Sequence, residues 1–490
     1  MPLILGSVAF LSLFLTILKK RAEKDIQPQK SVINWKKIGL CVICPIIAFY
    51  GFNSSFVEFS DNRYINEISK NGLYEIFSAY RNNDLPFEKF YITKDQKILT
   101  NELRNIIKSD EGENTVFITE DGITRKIISK NPEKTLNVII LTVESLSASF
   151  LGHFGNKENL TPNIDNLYKE SLTFEKIMAT GTRTVYGLAA ISLSIPPIPG
   201  NSIVRRPNNE NLATLGNVLK NKGYICKFIY GGFGYFDNMN YFFENNGYEV
   251  IDRSSLNKKE ITFSNVWGIC DEDLFNVVLK EADKSYETKQ PFFSMVMTTS
   301  NHRPYTYPDG KIDIPSKTGR NGGVKYTDYA IGEFIKKAKN KPWFKDTIFV
   351  ITADHTAGSA GKISLDPTKY HIPCIVYSPN NIKQNEIKKL ASQIDIAPTI
   401  LGLLNMNYDS QFFGHDIISS KNERAFVSNY QQVGYLTNSE FFVLKPFKKF
   451  TSYKKTYDEK FLEKKEIQFP DLALSYIQSA TNWKIWNNEN

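Results

Sequence analysis

The chain has 490 residues, of which 41% are hydrophobic and 13% aromatic, and its formal net charge is +8. This length can hold one large catalytic domain with smaller elements beside it, and the hydrophobic content excludes a largely disordered chain. The positive charge is modest for the length, so no nucleic-acid partner is predicted. The five cysteines imply no disulfide framework, because two of them lie in the apolar run at 41–44. A single Cys226–Cys270 bridge stays open at this stage.

The N-terminal region contains two uncharged apolar runs, residues 2–18 and 38–52. They predict two transmembrane helices, each slightly short of a full span unless flanking residues extend it. The linker between them carries seven Lys or Arg against Glu23 and Asp25, which favours a cytoplasmic linker. A cleaved signal peptide is the alternative for the first run, but that run lacks a basic leading segment. We therefore expect an anchor in the plasma (inner) membrane, with the rest of the chain on the extracytoplasmic side.

The remaining sequence divides into three further regions. Residues 56–133 read as a partly helical connector, residues 134–424 as the catalytic domain, and residues 425–490 as C-terminal strands and a helix packed on that domain. Near-continuous apolar strands alternate with helical stretches in the catalytic domain, which predicts an α/β fold with a mostly parallel sheet flanked by helices. The strongest strand candidates are LNVIILTV (136–143), KFIY (227–230), PFFSMVMTT (291–299), TIFVITA (347–353) and IPCIVYS (372–378).

Polar side chains follow these strands at the points where they end. Glu144 follows the first strand, Asp354 and His355 follow the fourth, and His302 lies shortly after the third. Because the carboxyl ends of strands in an open α/β sheet meet at one crevice, these residues are expected to converge. Two carboxylates and an imidazole suit a divalent ion such as Mn²⁺, Mg²⁺ or Zn²⁺.

A hydroxyl-bearing segment, GTRT (181–184), precedes the apolar stretch VYGLAAISL. Thr184 is therefore expected at or near a helix N-terminus, where N–H groups favour phosphate. A threonine beside a metal is a plausible nucleophile toward phosphorus. The simpler interpretation is that Thr182 or Thr184 only caps the helix.

Nine motifs in order resemble the lipoteichoic acid synthase and phosphoglycerol transferase family, a sulfatase-like branch of the alkaline phosphatase superfamily. The resemblance covers residues 137–416, and the motifs are NVIILTVESLSASFLG, LTPNIDNLYKESLTF, GTRTVYGLAAISLSIPPIPG, YGGFGYFDNMNYFFENNGYEV, TTSNHRPY, YTDYAIGEFI, TIFVITADHT, YHIPCIVYSP and SQIDIAPTILGLL. The connector segment NGLYEIFSAYRNNDLPFEKFY also resembles the segment that precedes the catalytic domain in this family.

The resemblance implies a site with one Mn²⁺-like ion, in which Thr184 is the catalytic nucleophile. The implied metal ligands are Glu144, Thr184, Asp354 and His355. His302 would contact the substrate headgroup, and the other candidate substrate contacts are Arg183, Asp237, Asn238 and His371.

The implied reaction transfers a phosphoglycerol-type headgroup from an anionic phospholipid to a hydroxyl of a glycan or polymer, through a phosphothreonine. Three features depart from the family. The CxPxR-like motif that true sulfatases need for a formylglycine does not occur. The Trp and Arg that contact glycerol phosphate in lipoteichoic acid synthases correspond to Asp237 and Met239 here, and the predicted membrane helices are fewer than is usual in the family. Phosphoethanolamine transfer, phosphodiester hydrolysis and a non-enzymatic binding module remain as alternatives.

Overall fold

The computed structural model describes residues 85–482, except residues 114, 121, 362 and 457–459, together with residues 59–60 and 63–72 and the single residues Gly39 and Ile43. Apart from Gly39 and Ile43, the two predicted transmembrane helices lie outside these residues, as does most of the connector segment 71–91. Among the residues that are described, no helix is both long and apolar enough to cross a bilayer.

The chain divides into two compact units. One comprises residues 1–60 and 66–79, and the other comprises residues 61–65 and 80–490. In the first unit, the Asn66 side chain accepts a hydrogen bond from the Ser60 amide at 3.0 Å. The second unit contains the β-sheets and the candidate site.

The helices, in chain order, are α1 (Arg63–Ser69), α2 (Phe87–Phe90), α3 (Gln96–Glu111), α4 (Pro162–Tyr168), α5 (Thr184–Leu193), α6 (Leu215–Lys220), α7 (Met239–Glu244), α8 (Asp271–Glu287), α9 (Arg320–Ala338), α10 (Ile396–Leu403) and α11 (Asp471–Thr481). The strands are β1 (Arg125–Ile127), β2 (Asn137–Val143), β3 (Leu172–Met178), β4 (Ile225–Tyr230), β5 (Glu249–Ile251), β6 (Phe292–Met297), β7 (Thr347–Ala353), β8 (His371–Ile372), β9 (Cys374–Tyr377), β10 (Asn385–Ser392), β11 (Tyr408–Ser410), β12 (Ala425–Ser428), β13 (Val433–Leu436), β14 (Glu440–Lys445), β15 (Lys449–Lys455) and β16 (Phe461–Lys464).

The central sheet has the strand order β10-β3-β9-β7-β2-β6-β4-β5, with β8 paired to β3. Strands β7, β2, β6, β4 and β5 are parallel neighbours. Every residue of β2, β6 and β7 is buried, as expected for strands covered on both faces. The predicted α/β fold with strands at these places is thus confirmed.

The strand predicted at residues 372–378 is interrupted in the structure, and its longer part is not parallel to its neighbours. Pro373 separates β8 from β9, because proline cannot donate a hydrogen bond within a sheet. Strand β9 runs antiparallel to both β3 and β7, so the sheet is mixed. The direction of a short apolar strand depends on its partners, and local sequence does not specify them.

A second, antiparallel sheet has the order β12-β13-β14-β15-β16. Helix α11 follows it and packs against α3, where the Lys94 ammonium pairs with Asp471 at 2.5 Å. Cys226, Cys270 and Cys374 are buried free thiols, so the open Cys226–Cys270 bridge is not formed.

Candidate metal centre and active site

Three of the predicted metal ligands meet where β2 and β7 end. The two strands are parallel, and Val143 is paired with Ala353, which sets Glu144 beside Asp354. One ligand atom from each of Glu144, Asp354 and His355 lies within 4.8 Å of the others. Glu144 and Asp354 are buried, and the side chain of His355 is 12% exposed. The sheet therefore brings two carboxylates and one imidazole to a single point.

The hydrogen bonds around Asp354 satisfy only one of its carboxylate oxygens. Asp354 Oδ1 accepts hydrogen bonds from the backbone amides of Ser145 and His355, both at 2.7 Å. Asp354 Oδ2 lies 3.3 Å from His355 Nε2, yet it accepts no hydrogen bond from the described residues. A buried oxygen without a donor is costly, and a cation is the partner that would satisfy it.

Electrostatics also favours a cation at this point. Burial raises the pKa of Asp354 to about 7, and the neighbouring Glu144 carboxylate adds to this effect. Burial acts in the same direction on Glu144, but attraction to His355 and His302 holds the pKa of Glu144 below its usual value. Burial lowers the pKa of His355, and Asp354 and Glu144 more than offset this effect. The donor set fits a divalent ion such as Mn²⁺, Mg²⁺ or Zn²⁺.

Thr184 is the first residue of α5 and lies beside this cluster. Its Oγ1 donates a hydrogen bond to Glu144 Oε2 at 3.3 Å. The preceding Arg183 has extended backbone geometry, and its side chain does not cap the helix. The rest of α5, from Val185 to Leu193, is buried. The buried helix therefore holds the Thr184 hydroxyl at the ligand cluster, with the positive end of the helix dipole beside it.

Two buried amides connect the strand ends to neighbouring segments. Gln393 Nε2 donates to the carbonyl oxygens of Ala353 and Asp354, at 2.7 and 2.9 Å. Its Oε1 accepts from the amide and the hydroxyl of Thr180, at 3.1 and 3.2 Å. Asn301 Nδ2 donates to the Glu144 carbonyl oxygen at 2.8 Å. These bonds tie the segment before α5 to β7 and the segment after β6 to β2.

The family model of the sulfatases matches residues 136–406, which is more than half of the chain. The chain belongs to the sulfatase family. The matched region contains both carboxylates, Thr184 and His355.

A solved protein of the alkaline phosphatase superfamily from Vibrio parahaemolyticus is 31% identical to this sulfatase-family chain. The similarity covers 82% of this chain and 99% of that one, with a TM-score of 0.74. The lipoteichoic acid synthase LtaP from Listeria monocytogenes shares the fold, with a TM-score of 0.62 at 21% identity over 79% of this chain and 98% of LtaP.

A curated relative, phosphoglycerol transferase I of Salmonella arizonae, is 30% identical over 255 residues. The match covers 46% of this chain and 32% of the relative, so it spans about a third of that protein's length. The resemblance to phosphoglycerol transferases is thereby confirmed as a similarity of sequence, and the likeness to LtaP as a similarity of fold.

His302 lies on the segment that follows β6 in the sulfatase domain. The centroids of its ring and the Trp267 ring are 3.9 Å apart, and its Nδ1 lies 2.9 Å from the Arg303 carbonyl oxygen. Its charge also lowers the pKa of Glu144, as noted above. The ring is half-buried and remains accessible.

The other predicted substrate contacts occupy three different places. Arg183 is exposed next to Thr184. Asp237 and Asn238, both with positive φ, line an open cavity of about 630 Å³, where Asp237 pairs with Arg205 at 3.4 Å. His371 lies on β8, where its Nε2 is 2.8 Å from the Glu175 carbonyl oxygen and its ring packs against Phe154. None of the contacts described for His371 joins it to the ligand cluster.

Several residues that shape the site were not among the predicted site residues. Ser145 donates a hydroxyl hydrogen bond to Glu144 Oε1 at 2.7 Å, and its position directly after Glu144 was a usable signal. Asn301 and Gln393 both lie inside quoted family motifs. Arg320, at the start of α9, had no sequence signal. Met239, which the family resemblance had already pointed to, is buried in the core.

Proposed function

We propose that this chain is a membrane-anchored, metal-dependent transferase that moves a phosphoglycerol headgroup from an anionic phospholipid to a hydroxyl of a glycan or polymer. The observation that carries the proposal is the position of the Thr184 hydroxyl, 3.3 Å from Glu144 and at the start of a buried helix. One similar protein is named phosphoglycerol transferase I and another is named lipoteichoic acid synthase, and these names support phosphoglycerol as the headgroup.

Glu144, Thr184, Asp354 and His355 would hold the divalent ion, which we propose to be Mn²⁺. When bound, such an ion would favour deprotonation of a nearby hydroxyl and offset the negative charge of the phosphate oxygens. Asp354 Oδ2 is the oxygen with an unused acceptor position for it. Ser145 and Asn301 orient the Glu144 side chain and backbone.

The first chemical step forms a bond between Thr184 Oγ1 and phosphorus. The bond between phosphorus and the diacylglycerol oxygen breaks, and diacylglycerol leaves with a proton. Glu144 accepts the hydrogen bond of the attacking hydroxyl, whose proton passes to water. His302 would supply the proton to the leaving oxygen and regain one from water. In the second step an acceptor hydroxyl attacks phosphorus, the phosphorus bond to Thr184 breaks, and the threonine hydroxyl is restored.

The membrane part of the proposal rests on the two apolar runs and the basic linker between them. An anchor is useful here because the donor is itself a lipid. A reporter fused after Asn490 should be active only outside the cytoplasm, and a cytoplasmic signal would reverse the proposed orientation.

The test of the covalent mechanism compares wild type, Thr184→Ala and Thr182→Ala in release of diacylglycerol from labelled phosphatidylglycerol. Thr184→Ala removes the attacking oxygen and one proposed metal ligand, so turnover should fall by about three orders of magnitude or more. Thr182→Ala is the matched control and should retain most activity. Near-normal release by Thr184→Ala would refute the mechanism, and loss confined to Thr182→Ala would move the nucleophile by two residues.

Mass spectrometry of the peptide that contains Thr184 distinguishes the alternatives. A glycerol phosphate adduct supports the proposal, and an ethanolamine phosphate adduct on exposure to phosphatidylethanolamine indicates the other transferase. Rapid hydrolysis of the adduct with no acceptor present would indicate a phosphodiesterase.

A further inference from the structure

Arg320 carries a positive charge that the described residues leave without an anionic partner. It is the first residue of α9 and is half-buried. Its guanidinium stacks over the Tyr305 ring, with the Cζ atom 5.0 Å from the ring centroid. Its Nη1 is buried and donates no hydrogen bond to any described residue. Burial of a charged donor without an acceptor is unfavourable, so the arrangement is incomplete without a ligand.

The packing of α9 places this guanidinium beside the candidate active site. A Cβ atom on Gly323 would lie 3.3 Å from the Ser300 carbonyl oxygen, so the first turn of α9 lies directly on the segment after β6. Tyr305, under the guanidinium, donates a backbone hydrogen bond to the His302 carbonyl oxygen at 2.8 Å. The segment that carries Asn301 and His302 therefore also supports Arg320.

The helix that begins at Arg320 lies against a residue that contacts the ligand cluster. A Cβ atom on Gly323 would lie 3.1 Å from Asn301 Oδ1, and Asn301 Nδ2 donates to the Glu144 carbonyl oxygen at 2.8 Å. Arg320 forms no ion pair with Glu144 or Asp354, whose nearest described cationic partner is His355. With a divalent cation bound to the carboxylates, Arg320 would add a second positive charge next to it. Such a pair of charges attracts an anion.

We propose that Arg320 binds a non-bridging oxygen of the phosphate group that Thr184 attacks. The inference rests on the proposed function for its choice of ligand. A guanidinium presents a planar pair of N–H donors that matches phosphate oxygens, and its always-charged state suits a half-buried position. Stacking on Tyr305 fixes the plane of the group and leaves Nη1 for the ligand. Arg320 thus contacts substrate in the ground state and in the transition state.

The experiment measures binding separately from turnover. The purified full chain in detergent is titrated with Mn²⁺, and the Mn²⁺-loaded chain is then titrated with inorganic phosphate by calorimetry. Arg320→Met should weaken phosphate binding by about tenfold to a hundredfold, the value of a hydrogen bond to a charged group, while Mn²⁺ binding stays unchanged. Arg320→Lys should recover part of the loss. Lys336→Met, an exposed cation near the other end of α9, is the matched control and should alter neither titration.

A second arm distinguishes lipid phosphate from free phosphate. The KM for phosphatidylglycerol in mixed micelles should rise in Arg320→Met by a factor similar to the loss of phosphate affinity. A KM equal to that of wild type, together with weaker inorganic phosphate binding, would overturn the assignment to the substrate phosphate.

Three further results would overturn the inference. The first is unchanged phosphate binding in Arg320→Met, and the second is absence of phosphate binding by the Mn²⁺-loaded wild type. The third is a loss of Mn²⁺ binding in Arg320→Met that parallels the loss of phosphate binding. That third result would make Arg320 a positioning residue for His355. Failure of the proposed function has a different signature. A wild type that releases no diacylglycerol, yet binds phosphate through Arg320, would refute phosphoglycerol transfer and leave the phosphate contact standing.

Discussion

Gly187 of α5 lies against the backbone of Asp354. A Cβ atom at position 187 would lie 2.7 Å from the Asp354 carbonyl carbon, and closer still to its oxygen. Only a residue without a side chain lets the helix that begins at Thr184 approach the end of β7 so closely. The distance between the proposed nucleophile and the metal ligand thus depends on this glycine.

Gly187→Ala should therefore displace α5 from the ligand cluster. Overpacking of this kind costs about 1–3 kcal/mol of stability, and a shift of about 1 Å at the nucleophile can lower turnover roughly a hundredfold. Diacylglycerol release and thermal unfolding measure the two effects. Gly358→Ala is the control, because a Cβ there meets no atom within 4 Å. Equal activity of the two variants would contradict the role of the close approach.

Gln393→Glu should disrupt the bridge between β7 and the segment before α5. The change removes the amide donor to the Ala353 and Asp354 carbonyl oxygens and places a second charge beside Asp354. We expect a loss of about 3 kcal/mol in the free energy of unfolding and weaker Mn²⁺ binding. Urea unfolding and metal titration measure these effects. Gln290→Glu is the control, because Gln290 is exposed and the same chemical change there affects no buried partner. This variant should behave as wild type.

Metal binding should depend on pH through Asp354. Burial and Glu144 raise the pKa of Asp354 to about 7, so the folded chain holds this proton more tightly than the unfolded chain does. In the metal-free protein, the group therefore becomes increasingly unfavourable to folding as pH rises from about 4 to 7. Protons compete with metal over the same range.

Added Mn²⁺ should consequently raise the thermal unfolding midpoint more at pH 8 than at pH 5.5. Asp354→Asn should show little increase at either pH, because it lacks the negatively charged ligand. An equal or larger increase at pH 5.5 in the wild type would show that Asp354 is not the titrating ligand.

Arg424→Met should destabilise the domain without removing any proposed metal ligand. Arg424 and Asp395 are fully buried and form two hydrogen bonds, at 2.6 and 2.9 Å. Removal of the guanidinium leaves a buried carboxylate without its partner, at a cost of about 3–5 kcal/mol. Lys464→Met breaks the exposed pair with Glu440 and should cost less than about 1 kcal/mol. Urea unfolding measures the free energy of unfolding of both variants. Similar decreases in the two variants would contradict the importance of burial for the Arg424–Asp395 pair.

The sequence by itself determined where the main strands lie and which side chains follow them. Continuous apolar runs mark strands that are buried on both faces, and this signal is local. It located β2 and β7 and placed Glu144 and Asp354 directly after them, and the ordered motifs added Thr184. Their meeting point was predictable because neighbouring parallel strands end at the same edge of a sheet.

Only the tertiary structure decided the contacts between distant segments. The antiparallel direction of β9 depends on its pairing with β3 and β7, and the place of His371 depends on that of β8. Gln393 reaches Asp354, and Arg320 reaches the segment after His302, across long stretches of chain. Such contacts arise when the complete sheet and its helices pack, and no periodicity in a short window of sequence encodes them.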